Sequence, residues 1–234
     1  MKRITPLFMF FAMMLFVACD RDVVSEEIAE MKGERWDKDE VVTCECEISD
    51  ADSYYTLELE VRNTVDYPYR NLYLFVDIET PDTMKYRDTL QLFLADNAGH
   101  WYGKGSRLKD RSYYWGADPK FCATTREIKG YVPYSVATFH GNGVHPFRFE
   151  PLIVPFEMEY QGQAVSVTEC YPVKVRFPKA GTYKFTFRQG MRDDALEGIA
   201  SFGLKVSKYN EEKLVKAIKK ENKERLKKSQ SSEN

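Results

Sequence analysis

The sequence predicts a mainly β protein: an antiparallel β-sandwich, immunoglobulin-like or jelly-roll-like, with an inserted segment and a charged C-terminal helix. Three observations predict it. Apolar residues recur with period two over several short stretches, the signature of strands that bury one face. Clusters of Pro, Gly, Asn and Asp separate those stretches. Aromatic residues reach 14%, with Tyr and Phe at fifteen each, an excess that suits strands better than helices.

The chain starts with a different kind of segment. Lys2-Arg3 is followed by an almost uninterrupted apolar run from Ile4 to Val17, then Ala18-Cys19. A basic start before a short apolar run is the pattern of a secretory signal peptide, and the run falls short of the roughly 20 residues a membrane-spanning helix needs. Ala18 suits a signal peptidase, and the cysteine directly after it points to a lipoprotein. Residues 1–18 are then the signal peptide, and Cys19 is the lipidated (palmitate-bearing) N-terminus of a protein held to a membrane of the cell envelope, on its periplasmic or outer-membrane side. The alternative is an ordinary secreted protein in which Cys19 is incidental. Two or more acyl chains give the stable anchoring that one does not. Residues 19–35 are polar and charged and read as a lipidated tether, so the folded domain is expected from Trp36 to residue 207.

Within 36–207 the alternation is explicit. Tyr55, Leu57, Leu59 and Val61 form one apolar face, and Leu72, Leu74, Val76 and Ile78 a second. Further faces are Leu90, Leu92 and Leu94; Val173, Val175 and Phe177; Tyr183, Phe185 and Phe187; and Leu204 with Val206. Asn63–Pro68, Pro81-Asp82 and Pro178–Gly181 supply turn chemistry between them. No internal repeat and no alternation of strands with helices appears. Residues 208–234 are rich in Lys and Glu and lack Pro and Gly. Leu214, Ile218 and Leu226 give only a thin apolar stripe, so this tail is expected to form a helix that does not dock firmly, with a disordered end over 229–234.

Cys44, Cys46, Cys122 and Cys170 remain once Cys19 is assigned to lipid. An exported chain can oxidise them, and four cysteines allow three connectivities. Cys44 and Cys46 sit two apart in a strand-like run and point to one face, which places them poorly for bonding each other. Cys122–Cys170 is the preferred pair because both lie in one central region. Four buried thiols are the alternative.

Three stretches carry a family resemblance: Val61–Asp82 (VRNTVDYPYRNLYLFVDIETPD), Arg87–Gly105 (RDTLQLFLADNAGHWYGKG) and Val175–Val206 (VRFPKAGTYKFTFRQGMRDDALEGIASFGLKV). The words N-T-x-D-Y-P-Y, L-A-D-x-x-G-x-W and M-R-D-D-x-L-x-G-I within them resemble the gliding-motility lipoprotein H family (GldH) of the Bacteroidetes. That resemblance implies an envelope-anchored, non-enzymatic accessory of the gliding apparatus, which in that phylum works alongside the type IX secretion system, with envelope proteins as partners. Relative to the family pattern, Ser106–Lys174 reads as an insert (106–174), and the charged helix as a further addition. A glycan-binding lipoprotein of the envelope or cell surface is the alternative function, motivated by the aromatic content and by the insert.

Candidate chemistry is sparse. Formal net charge is −2 with 30% charged residues, which leaves no basic footprint for nucleic acid. Asp193-Asp194 reads as a pair that caps backbone N–H groups in a turn rather than as a metal or acid–base site. Asp96–Gly99 lacks the spaced oxygen ligands of a calcium loop and reads as a turn before Trp101. Gly103–Ser106 is not a phosphate-binding loop, since no strand-to-helix unit surrounds it. His140 and His145 flank a glycine loop with no nameable third zinc ligand. No catalytic residues, no metal site and no cofactor are expected. Tyr67, Tyr69, Tyr73, Trp101 and Tyr102 are candidates for an aromatic contact surface, with core and turn packing as the alternative.

Overall fold

The computed structural model describes residues 21–116, 136–139, 146–160 and 163–232. Thirteen strands and one long helix account for most of them. In chain order the strands are β1 (Val23–Glu30), β2 (Arg35–Asp37), β3 (Val42–Ile48), β4 (Tyr55–Thr64), β5 (Asn71–Glu79), β6 (Lys85–Phe93) and β7 (Leu108–Trp115). There follow β8 (Val136–Phe139), β9 (Arg148–Tyr160), β10 (Gln163–Arg176), β11 (Gly181–Gln189), β12 (Ala195–Glu197) and β13 (Ile199–Lys208), and then helix α1 (Glu211–Ser232).

The expected mainly β, antiparallel architecture is what forms. One layer runs β1-β13-β4-β7 and the other β3-β11-β5-β6. Short β8 joins them at one side, antiparallel to β6 and parallel to β7. At the other side the edge strands β1 and β3 are tied by side chains: Ser25 Oγ donates to the Glu45 carbonyl at 2.9 Å, and the Glu45 amide donates to Glu27 Oε1 at 3.2 Å. A charge-bearing edge strand that spends its side chains on a neighbour's backbone offers little free edge for another chain.

Alternation explains which residues meet between the layers. In β3 Val42, Cys44, Cys46 and Ile48 are buried while Thr43, Glu45 and Glu47 face out. Aromatic rings dominate the core: Phe177 lies edge-on to Tyr183 at 4.7 Å, Phe147 to Phe177 at 5.0 Å, and Phe187 to Phe202 at 5.0 Å. Such pairs contribute about 0.5–1.5 kcal/mol each beyond their area. The polar tips of buried tyrosines find carbonyls instead of water. Tyr55 donates to Asp50 at 2.7 Å, Tyr67 to Asn71 at 3.0 Å, Tyr113 to Phe93 at 2.7 Å and Tyr183 to Lys179 at 2.9 Å. That is how a core can be so rich in tyrosine without orphaned hydroxyls.

Three expectations change. The sheet begins at Val23, not near Trp36: β1 pairs with β13 from Val23↔Ser207 to Glu30↔Ser201, so residues 23–30 of the expected tether 19–35 are strand. As an edge strand β1 buries little, and its sequence VVSEEIAE shows almost no apolar face. Residues 108–115, placed in the insert, form β7 at the end of the first layer, between β4 and β8, with Tyr113 and Trp115 in the core.

The charged tail also docks. Asn210 caps α1 through its Oδ1, which accepts the Lys213 amide at 3.1 Å. Leu214 and Ile218 are buried against Leu152, Val154, Tyr171 and Val173 of the β9–β10 hairpin, forming a second core apart from the first. Below Ile218 the contact turns polar: Asn222 Nδ2 donates to Glu169 Oε2 at 2.7 Å, and the Tyr171 hydroxyl donates to the same carboxylate, all three residues being buried.

The sandwich has two poles. The near pole gathers the start of β1, the start of β4 and the end of β13, where the Lys208 amide donates to the Asp22 carbonyl at 2.6 Å. The far pole gathers the end of β4, the starts of β5, β7 and β13, and the small β2–β12 ladder. Ten residues of β4 separate the two, about 30 Å of extended chain.

Candidate functional site

The three words that carry the family resemblance are far apart in sequence and meet at the far pole. Thr64 of the first and Gly198 of the third are joined by an amide-to-carbonyl bond of 2.8 Å. Gly198 sits at φ +91°, and a Cβ there would meet Thr64 Oγ1 at 2.8 Å and Tyr67 Cα at 2.9 Å, so both its conformation and its neighbours require glycine. Tyr69 donates its hydroxyl to Asp193 Oδ2 at 2.5 Å. The second word enters through Arg70, whose carbonyl accepts the Leu94 amide at 2.7 Å and the Ala95 amide at 3.1 Å, while its guanidinium contacts Asn97.

Residues outside the words complete the pole. Glu34, itself at a positive φ of 58°, is held by both arms of the Arg107 guanidinium, at 2.8 Å for the Nη1–Oε2 contact. That hydrogen bond lowers the Glu34 pKa. The Gly198 amide donates to the Glu34 carbonyl at 2.7 Å and the Val65 amide to the Arg107 carbonyl at 3.0 Å. Lys38 reaches Asp194 by its amide at 2.7 Å and by Nζ at 3.4 Å. Backbone bonds thus fix four loops to one another, and exposed ion pairs add geometry more than stability.

Sequence-level candidates sort clearly against this frame. Asp193 and Asp194 are loop ties: Asp193 accepts from Tyr69 and, through its carbonyl, from Gln189 Nε2 at 2.8 Å. Asp96 builds a turn, its Oδ1 accepting the Ala98 and His100 amides at 2.8 Å each and its Oδ2 lying 3.0 Å from His100 Nδ1. The Asp96 carboxyl ends up below its ordinary pKa: the amide bonds and the imidazole outweigh burial, the largest influence and an upward one. Tyr67 is buried, and Tyr69, Tyr73, Trp101 and Tyr102 are half-buried. Among the described residues, therefore, they make no open aromatic row. Cys19, Cys122, His140 and His145 lie outside the described residues. Cys170 is buried and disulfide-bonded, and Cys44 and Cys46 are free, buried thiols. Among the described residues, no cluster of His, Cys, Asp and Glu is arranged to hold a metal ion, and no helix is long and apolar enough to cross a membrane.

The GldH lipoprotein family model matches residues 23–125 and 158–206, more than half of the chain. This chain belongs to the GldH lipoprotein family. It is 35% identical over 111 residues to the gliding motility lipoprotein GldH of Flavobacterium johnsoniae, an alignment covering 47% of this chain and 69% of the relative. It is 31% identical over 123 residues to a GldH homolog of Christiangramia forsetii, covering 52% of this chain and 75% of the relative. No solved structure matches the chain.

The family match narrows the insert from 106–174 to 126–157, and leaves 207–234 unmatched at the end. The two unmatched stretches meet in space. Leu152 and Val154 of the first pack with Leu214 and Ile218 of the second in the same small core. Arg111–Glu221 at 2.6 Å and Lys104–Glu224 at 3.2 Å then latch α1 to the part of the chain that GldH relatives share. Neither latch nor the Asn222–Glu169 bond had a signal in sequence, because each pairs residues more than fifty positions apart.

Proposed function

We propose that this GldH-family protein is a non-enzymatic envelope lipoprotein, anchored by lipid on Cys19, that serves as an accessory of the gliding-motility and type IX secretion-associated machinery. The observation that carries this reading is the far pole. Four loops are cross-tied there into a rigid surface, and their charged groups are spent on one another rather than converging on a cleft. A surface of that kind suits recognition of an envelope protein. Its placement supports the same reading, since Asp22, three residues after Cys19, is bonded at the opposite end of the sandwich.

Two measurements test it. Cys19→Ala should move the protein from the membrane to the soluble fraction; retention in the membrane fraction would remove the lipid anchor from the proposal. A deletion strain and its parent should differ in secreted proteins by mass spectrometry, with type IX cargo lost. An unchanged secretome together with unchanged gliding would overturn the accessory role.

A further inference from the structure

The charges of α1 are sorted by face. Two of its acids face the sandwich, Glu221 paired with Arg111 and Glu224 with Lys104. On the opposite side Lys216, Lys219, Lys220 and Lys223 are all exposed, and none of them forms an ion pair with a described carboxylate. Their spacing of three, four and seven places them in one stripe. Glu212, in the first turn, is the acid on that side; it also favours the helix N-terminus.

The position of this stripe is as informative as its charge. Asn210, the cap of α1, donates to Asp22 Oδ2 at 3.1 Å, so the helix starts beside the residue three positions from Cys19. From there it runs toward the far pole, as its contacts with Arg111 and Lys104 require. A lipid anchored at the near pole therefore keeps the first turns of α1, where the lysine stripe begins, close to the bilayer. An anionic membrane surface attracts basic groups only within about a Debye length, roughly 10 Å, a condition the whole stripe meets when the helix lies along the bilayer.

We propose that α1 lies along the membrane that carries the anchor, its lysine stripe on anionic lipid headgroups. The domain then rests on its side and presents the far-pole loops laterally, toward proteins held in the same membrane. The two stretches that this chain adds to the family pattern act together: the hairpin seats the helix, and the helix sets the orientation.

This inference rests on the Cys19 anchor, and the test separates the two. The lipidated full-length protein is reconstituted in phosphatidylcholine vesicles with and without phosphatidylglycerol, and flotation first shows whether it is anchored at all. A membrane-impermeant amine reagent and peptide mass spectrometry then measure each lysine. Lys216, Lys219, Lys220 and Lys223 should label about fivefold more slowly on phosphatidylglycerol vesicles. The difference should vanish at high salt, while Lys32 at the far pole and Lys184 on the opposite layer stay unchanged. Floating protein whose α1 lysines label equally in both vesicles would overturn the membrane proposal and leave an acidic protein as the occupant of the stripe. Failure to float would overturn the anchor itself.

Discussion

Tyr69 and Asp193, 124 residues apart, share a hydrogen bond of 2.5 Å at the far pole. The carboxylate holds the phenol proton and raises the Tyr69 pKa. The bond is exposed, so Tyr69→Phe should leave the thermal midpoint close to that of the parent. Its effect should be local: faster amide hydrogen exchange over 191–194. Unchanged exchange there would mean the backbone ties suffice to order the loop.

Gly198→Ala is the severe change at the same pole. The new methyl would strain a backbone at φ +91° and press on Thr64 and Tyr67. Strain of this kind costs on the order of 1–3 kcal/mol, and contact with backbone atoms adds to it. The denaturation midpoint should fall clearly, with the largest exchange increases at 64–67 and 198.

The second core should fail separately from the first. Ile218→Ala removes a buried side chain and should cost about 2–4 kcal/mol. Asn222→Leu leaves the buried Glu169 carboxylate short of a donor, at about 1–3 kcal/mol. In both variants limited proteolysis should release α1 while the sandwich stays resistant. Simultaneous cleavage of both would show that the second core is integral to the first.

Asp88 predicts a pH dependence. It faces the core opposite Val76 and is 4% exposed. Its Oδ1 accepts the Thr89 amide at 2.7 Å, and no described group reaches its Oδ2. Burial pushes its pKa up to about 6. Between roughly pH 4 and pH 6 the folded chain keeps a proton that the unfolded chain has lost, so stability falls as pH rises through that window and levels off above it. Asp88→Asn should be the more stable protein at pH 7.5, by about 1–3 kcal/mol, and lose that advantage at pH 4. A difference independent of pH would place the effect elsewhere.

The cysteines divide in two. Burial, the main cause, pushes Cys44 and Cys46 up to about 12, so neither should alkylate in the native protein at pH 8. Cys170 should be found in a peptide linked to one carrying Cys122 after digestion without reductant. A link to any other cysteine would reject that pairing.

How much of this was legible depends on where a residue's partners lie. Leu57, Leu59 and Val61, or Tyr183, Phe185 and Phe187, announce their strands because each needs only a local alternation. β1 was hidden because an edge strand keeps Ser25, Glu26 and Glu27 on a surface that asks for no apolar pattern. The stripe Leu214–Ile218 looked too thin to dock because its partners, Leu152 and Tyr171, come from the distant hairpin. Of the far pole, the words themselves stood out in the sequence. Their union through Thr64–Gly198 and Tyr69–Asp193, with Glu34 and Arg107 as supports, did not. Such ties depend on which loops the sheet order brings together.

The pairing of β1 with β13 also has a mechanical consequence. β1 begins at the near pole and ends at the far one, so tension between the N-terminus and the far-pole loops runs along the strand axis. Its hydrogen bonds to β13 lie across that axis and are strained together, in shear, rather than peeled one after another. The Ser25 and Glu27 links to β3 share the same strain. A protein pulled at these two ends would hold until the whole ladder slipped.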